Sequence, residues 1–157
     1  AETLPADAFR ENVAANLAVV QGWIEAHPEV DFRFFLPPYS ILFWDKVIRE
    51  GRTEAVFAAI RQAGQTLLQY DNVKFYGYLM DPEIVTNLDN YCDYIHHSGG
   101  VCREILAMLQ REEGRLTEEN LEETLANWRE FVVHYDYDQF WDERFWIQWN
   151  AEHAAAP

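Results

Sequence analysis

Residues 30–79 decide the fold, and they read VDFRFFLPPYSILFWDKVIREGRTEAVFAAIRQAGQTLLQYDNVKFYGYL. Residues 30–36 and 73–79 are rich in aromatic and β-branched side chains, which indicates two strands. Between them, the apolar side chains of residues 41–48 and 53–70 recur at helical spacing. A strand, two helices and a strand in this order predict a βαβ unit, in which the two strands pair in parallel.

Helices are predicted on both sides of this unit. Apolar residues recur every three or four positions across residues 5–26, where Pro28 ends the pattern, and again after Ser98 and after Thr117. We therefore expect an α/β protein with a partial three-layer, flavodoxin-like sheet of two or three parallel strands flanked by helices, and a helical C-terminus. We treat residues 1–157 as a single domain.

Two predicted strands are too few for a complete parallel layer, because parallel sheets are normally covered by helices on both faces. We therefore expect the chain to be the C-terminal half of a larger domain, with part of the sheet missing on the N-terminal side. The residues that would face the missing half form a candidate contact surface, either for that half or for a second copy of the chain. They include the aromatic tail with Trp141, Trp146 and Trp149. This tail either packs in the core or forms a sugar-binding platform.

Charge and composition exclude several classes of protein. The 157 residues contain 12 Lys and Arg against 27 Asp and Glu, so the net charge is −15. Nucleic acid and anionic membrane surfaces are therefore not expected partners, since phosphate binding requires clustered basic residues. No apolar run approaches the roughly 20 residues that a membrane-spanning helix needs. The two cysteines cannot form a four-thiolate zinc site.

The densest group of chemically reactive side chains lies in the segment DNYCDYIHHS, residues 89–98. Asp93 and His96 form a D-x-x-H pair in which the carboxylate can reach the imidazole, fix its tautomer and raise its basicity. A metal site built from Asp89, Asp93, His96 and His97 is the alternative. Adjacent histidines seldom face the same ion, and no metal-binding motif supports this reading. We expect no metal ion and no cofactor.

The segments PPYS and NLDNYCDYIHHS, together with the order of the elements, resemble the C-terminal part of SGNH/GDSL-type hydrolases. Over roughly residues 7–140 the sequence is similar to the C-terminal half of uncharacterised SGNH-hydrolase-like proteins from Gram-positive gut bacteria. The resemblance implies that Asp93 and His96 are the acid–base members of a Ser-His-Asp triad. It also implies an extracytoplasmic protein that is anchored to the membrane by a segment outside this chain.

The chain departs from that family at the nucleophile, because it has no Gly-Asp-Ser block and only two serines, Ser40 and Ser98. Ser98 is best placed as a helix cap. Tyr39 and Ser40 follow a strand, where α/β sheets bind ligands. They are therefore either a substrate-binding wall or an ordinary turn with a serine cap. Cys92 and Cys102 are either two unpaired thiols or, if the loop doubles back, a disulfide.

Two functions follow from these observations. In the first, the chain is part of a serine esterase that acts on an acylated small molecule or a cell-surface glycan. Asp93 and His96 are then its catalytic pair, the nucleophile lies elsewhere, and this chain alone is inactive. In the second, the chain is a non-catalytic acidic α/β module that binds a protein or carbohydrate partner.

Overall fold

The computed structural model describes residues 3–140 and residue 147. The first half contains α1 (Arg10–Ala26), β1 (Phe32–Phe35), α2 (Ile41–Arg49), α3 (Thr53–Leu67) and β2 (Val73–Tyr76). The second half contains α4 (Pro82–Val85), α5 (Gly99–Arg111), β3 (Arg115–Leu116) and α6 (Leu121–His134). Trp141, Trp146 and Trp149, which the sequence offers as core residues or as a sugar platform, lie outside the described residues.

The three strands form one mixed sheet in the order β1-β2-β3. β1 and β2 pair in parallel with Phe32 opposite Val73, so the predicted βαβ pairing is confirmed. β3 runs antiparallel to β2, with Phe75 opposite Leu116. The α/β class is therefore confirmed, but a third parallel strand and a flavodoxin-like sheet are not.

β3 is preceded by a tight turn. Between α5 and β3 the chain turns within three residues, through Glu112 with φ 57° and Gly114 with φ 68°. After this turn β3 runs antiparallel along β2. A two-residue strand also carries no alternation that a sequence pattern could reveal.

The larger part of the core lies between one face of the sheet and helices α2, α3 and α6. Trp44 is its centre, with ring centroids 5.1 Å from Phe57 and 6.1 Å from Trp128. Val73 and Phe75 of β2 belong to this core, whereas Tyr76 packs with α5 on the opposite face. This division follows from the alternation of side chains along a strand.

The helical predictions for the second half are confirmed by burial. Val101, Ile105 and Met108 of α5 are buried, and so is the predicted face of α6. Residues 81–97, predicted as a loop with a helical turn, contain α4 and a short 3₁₀ turn at Leu88–Asn90. No helix in the described part of the chain is long and apolar enough to span a membrane.

Candidate functional site

The connections that follow β1 and β2 lie side by side. They are at the carboxyl ends of the two parallel strands, where α/β proteins commonly bind ligands. The backbone N–H of Leu79, after β2, donates to the carbonyl of Leu36, after β1, at 3.1 Å. Two features occupy this edge. One is the loop that contains Asp93 and His96, and the other is a cleft beside Gly77.

The loop of residues 91–97 is anchored to the connection between β1 and α2. Ser40 donates to the carbonyl oxygen of Tyr94 twice, from its backbone N–H at 3.0 Å and from its hydroxyl at 2.9 Å. The Tyr91 hydroxyl donates to the carbonyl of Pro38 at 2.8 Å. Lys46 contacts the Tyr94 side chain, with Nζ 4.8 Å from the ring centroid. These bonds place the loop against the sheet edge.

Within this loop the Asp93 carboxylate contacts the His96 imidazole, with Oδ2 2.6 Å from Nδ1. The other carboxylate oxygen accepts hydrogen bonds from the backbone N–H groups of Ile95 and His96, at 2.8 and 2.7 Å. The bond from the His96 ring, followed by the two backbone bonds, lowers the pKa of Asp93 from its ordinary value of 3.8 to about 2. The expected contact between the two side chains is therefore present, and it also closes a tight turn.

This pair has no serine beside it. The Ser40 side chain is fully buried and bonded to Tyr94, and Ser98 is the N-cap of α5, where its hydroxyl accepts from the N–H of Val101. These are the only two serines of the chain. An imidazole that is oriented by a carboxylate needs a nucleophile within hydrogen-bond reach to start acyl transfer. The Asp93 carboxylate therefore orients the His96 imidazole, but neither serine is available for that imidazole to activate.

The predicted substrate-binding residues have different surroundings. Ser40 begins α2, but its side chain makes no capping hydrogen bond; the hydroxyl holds the Tyr94 carbonyl instead. Tyr39 is half-buried, and its ring packs against Phe43 with centroids 5.0 Å apart. Ser40 thus positions the neighbouring loop, and contact of Tyr39 with a ligand stays a prediction.

The four side chains considered as metal ligands do not converge. Asp93 and His96 contact each other, whereas Nδ1 of His97 lies 3.6 Å from Sγ of Cys102. Within the described ranges no group of three or more His, Cys, Asp or Glu side chains could hold an ion. Cys92 and Cys102 are both unpaired and exposed.

The second feature, which sequence reasoning missed, is a cleft of about 380 Å³ beside the end of β2. We call it the β2 cleft; its lining includes Gly77, Tyr78, Asp81, Glu83, Arg115 and Thr124. A Cβ at Gly77 would lie 2.7 Å from the terminal methyl of Met80 and 3.2 Å from Leu116, so both side chains would have to shift. A glycine inside the predicted strand of residues 73–79 was the one available signal, but Arg115 and Thr124 come from distant segments.

The lining of the β2 cleft combines charged side chains of both signs with Tyr78. The Tyr78 hydroxyl is buried and has no hydrogen-bond partner among the described residues. Burial is the main cause that raises the pKa of Tyr78 to about 12, so this hydroxyl remains a donor at neutral pH. Arg115 contacts Glu112 at 3.3 Å, which offsets part of its charge.

Comparison with known proteins points away from a hydrolase. The chain is 24% identical over 90 residues to the "UPF0735 ACT domain-containing protein" of Lacticaseibacillus casei (strain BL23). It is equally similar to the protein of that name from Lacticaseibacillus paracasei (strain ATCC 334). The match covers 57% of this chain and 62% of each relative, so it spans less than two thirds of their length. No family model matches the chain, and no solved structure matches it.

These findings correct the resemblance drawn from PPYS and NLDNYCDYIHHS. The assignment to SGNH/GDSL hydrolases is wrong, since the curated relatives carry an ACT-domain name. The esterase function that depended on it is wrong for the same reason. The short matching segments suggested a catalytic pair. The Asp93–His96 contact does form, but a contact of this kind is also a common way to close a turn. The expectation of an extracytoplasmic, membrane-anchored protein came from that resemblance alone and loses its support.

Proposed function

We propose that this chain is a non-catalytic binding module whose β2 cleft accepts a small polyhydroxylated ligand of the carbohydrate class. The observation that carries the proposal is the position and lining of that cleft. It lies at the carboxyl end of β2, and its volume of about 380 Å³ falls in the range of small-molecule sites.

The polar groups of the β2 cleft suit hydroxyl groups better than anions. Asp81 and Glu83 contribute carboxylates, and Arg115 is the one basic side chain in the lining. Sugar hydroxyls donate to carboxylates and accept from a guanidinium. An anionic ligand would meet two like charges, in a protein whose net charge is −15.

The cleft is also built on rigid backbone. The Gly77 N–H donates to the Gly114 carbonyl at 2.9 Å, which joins its two sides. Asp81 accepts from the backbone N–H groups of Glu83 and Ile84, so its carboxylate is held in place. A preorganised lining reduces the entropy that is lost on binding. The ACT-domain name of the curated relatives, in place of a hydrolase name, supports a non-catalytic reading.

The test is a titration of ¹⁵N-labelled protein with a panel of neutral and N-acetylated monosaccharides and disaccharides. We expect amide shifts confined to residues 77–83 and 114–116, and their loss in Glu83→Ala and Arg115→Ala. Glu11→Ala, an exposed acidic substitution on α1, is the matched control and should bind like the wild type. If no sugar in the panel shifts these amides, the proposal fails.

A second candidate function, association with another copy of the chain, is favoured by the open edge of β1. The N–H groups of Phe32 and Leu36 point to β2, where they bond to Asn72 and Tyr76. Those of Arg33 and Phe35 face the other side, since the direction alternates along a strand. In the described part of the chain β2 is the only strand beside β1, and Phe35 is 39% exposed. Unpaired edges of this kind recruit further strands.

Sedimentation analysis over a range of concentrations tests this candidate. Arg33→Pro removes one edge N–H, whereas Arg33→Ala removes only the side chain, with its bonds to the Leu109 carbonyl and the Asp31 carboxylate. We expect a dimer for the wild type and for Arg33→Ala, and a monomer for Arg33→Pro. A monomeric wild type would rule the candidate out.

A further inference from the structure

The start of α5 and the loop before it bring two cysteines and two histidines together, and the two thiols differ in their partners. Cys92 Sγ lies 3.3 Å from the carbonyl oxygen of His96, to which its S–H donates. Cys102 Sγ lies 3.6 Å from Nδ1 of the His97 imidazole. Both side chains are exposed. The structure therefore holds two accessible thiols, one beside a carbonyl and one beside a base.

Cys102 has a base beside its sulfur. An imidazole nitrogen in contact with a thiol can take its proton as the sulfur attacks an electrophile. Gly99 and Gly100 precede Cys102 on α5, and the Cys102 side chain is exposed, so a reagent can reach its sulfur.

Cys92 lacks these features. Its partner is a carbonyl oxygen, which accepts a hydrogen bond from the thiol but is not a base that can take its proton. Its backbone N–H also donates to that carbonyl, at 3.0 Å. Cys92 is therefore an internal control for Cys102, because it is an exposed thiol of the same protein without an imidazole beside its sulfur.

We propose that Cys102 is a modification site at which the His97–Cys102 pair forms mixed disulfides with small-molecule disulfides. His97 takes the thiol proton, and the Cys102 sulfur attacks one sulfur of the reagent. A new S–S bond forms as the S–S bond of the reagent breaks. The departing thiolate then takes the proton from the His97 imidazolium, so the products are a mixed disulfide and one free thiol. This site is independent of the β2 cleft and of the binding function proposed above.

The experiment measures both cysteines of the full chain in the same reaction. The protein is treated at neutral pH with the aromatic disulfide 5,5′-dithiobis(2-nitrobenzoic acid), and separately with uncharged iodoacetamide, and modification is followed by peptide mass mapping. We expect Cys102 to react about tenfold faster than Cys92 with each reagent. Agreement between the two reagents separates thiolate reactivity from attraction of a charged reagent.

His97→Gln is the decisive variant, and His134→Gln, an exposed histidine of α6, is its matched control. We expect His97→Gln to slow Cys102 to the rate of Cys92 while Cys92 itself is unchanged, and His134→Gln to alter neither rate. Equal rates for the two cysteines in the wild type would overturn the proposal. So would a Cys102 rate that survives in a folded His97→Gln variant.

Discussion

Ser40 and Tyr94, 54 residues apart, are joined by two hydrogen bonds to one carbonyl oxygen. The backbone N–H and the hydroxyl of Ser40 both donate to it, and Ser40 has no exposed surface. Ser40, which the sequence leaves as part of either a substrate-binding wall or an ordinary turn, thus anchors a distant loop. The loop that contains Asp93 and His96 depends on this contact for its position.

Ser40→Ala removes the hydroxyl donor but keeps the backbone one. We expect the free energy of unfolding in urea to fall by about 1 kcal/mol, the usual value of one buried hydrogen bond. We also expect faster hydrogen exchange at the Cys92 and His96 amides, while the amides of α3 exchange as before. Unchanged exchange in this loop would show that the second bond is dispensable.

The Asp93 carboxyl group should titrate with a midpoint of about 2. Because its folded pKa lies below its unfolded value, the stabilisation it provides is present above about pH 4. That stabilisation is lost as the pH falls from about 4 through 2. Carbon-detected NMR of the carboxyl group measures the midpoint directly, and a value near 3.8 would contradict the His96 contact.

Asp93→Asn is the matched variant for this titration. The amide oxygen of the variant can still accept from the backbone N–H groups of Ile95 and His96. The side chain no longer carries the negative charge that faces the His96 ring. We expect the variant to keep the turn at neutral pH. The change in loop exchange rates between pH 4 and pH 2 should disappear, since no carboxylate remains to be protonated.

Two helical glycines should respond to alanine in opposite directions. Gly22 lies in α1 with nothing within 4 Å of an added Cβ, whereas at Gly64 of α3 the Cβ would be 2.8 Å from the Leu121 side chain. Gly22→Ala should raise the free energy of unfolding by about 0.5–1 kcal/mol. Gly64→Ala should lower it by about 1–3 kcal/mol, because Leu121 is buried and has to move. Chemical denaturation of both variants checks the pair; stabilisation by Gly64→Ala would show that α3 and α6 separate easily.

The unpartnered hydroxyls of Tyr76 and Tyr78 should be dispensable for folding. Replacing either residue by phenylalanine removes a buried donor and should leave stability unchanged or raise it by about 1 kcal/mol. Only Tyr78 lines the β2 cleft, so only Tyr78→Phe should weaken binding of a sugar identified in the NMR panel. Thermal melting with and without that sugar separates the two effects. Equal loss of binding in both variants would place the ligand elsewhere.

The main elements were predictable from residue patterns because they are long and strongly periodic. Apolar residues at helical spacing predicted α5 and α6, and the two aromatic segments predicted the parallel pair β1 and β2. β3 was not predictable, since its pairing involves two residues and depends on the turn at Gly114. The functional assignment failed because short motifs occur in many families, and the curated relatives carry an ACT-domain name in place of a hydrolase name.

Local sequence also determined the contact between Asp93 and His96, because three residues of a turn are enough to bring a carboxylate to an imidazole. Tertiary structure decided everything that joins distant segments. It buried Ser40 under Tyr94, placed Arg115 and Thr124 beside Gly77, and set the His97 ring against Cys102. Periodicity records which side of an element faces the core, but it does not record which other element covers that side. For this reason the anchor of the loop and the lining of the β2 cleft emerged only from the packed chain.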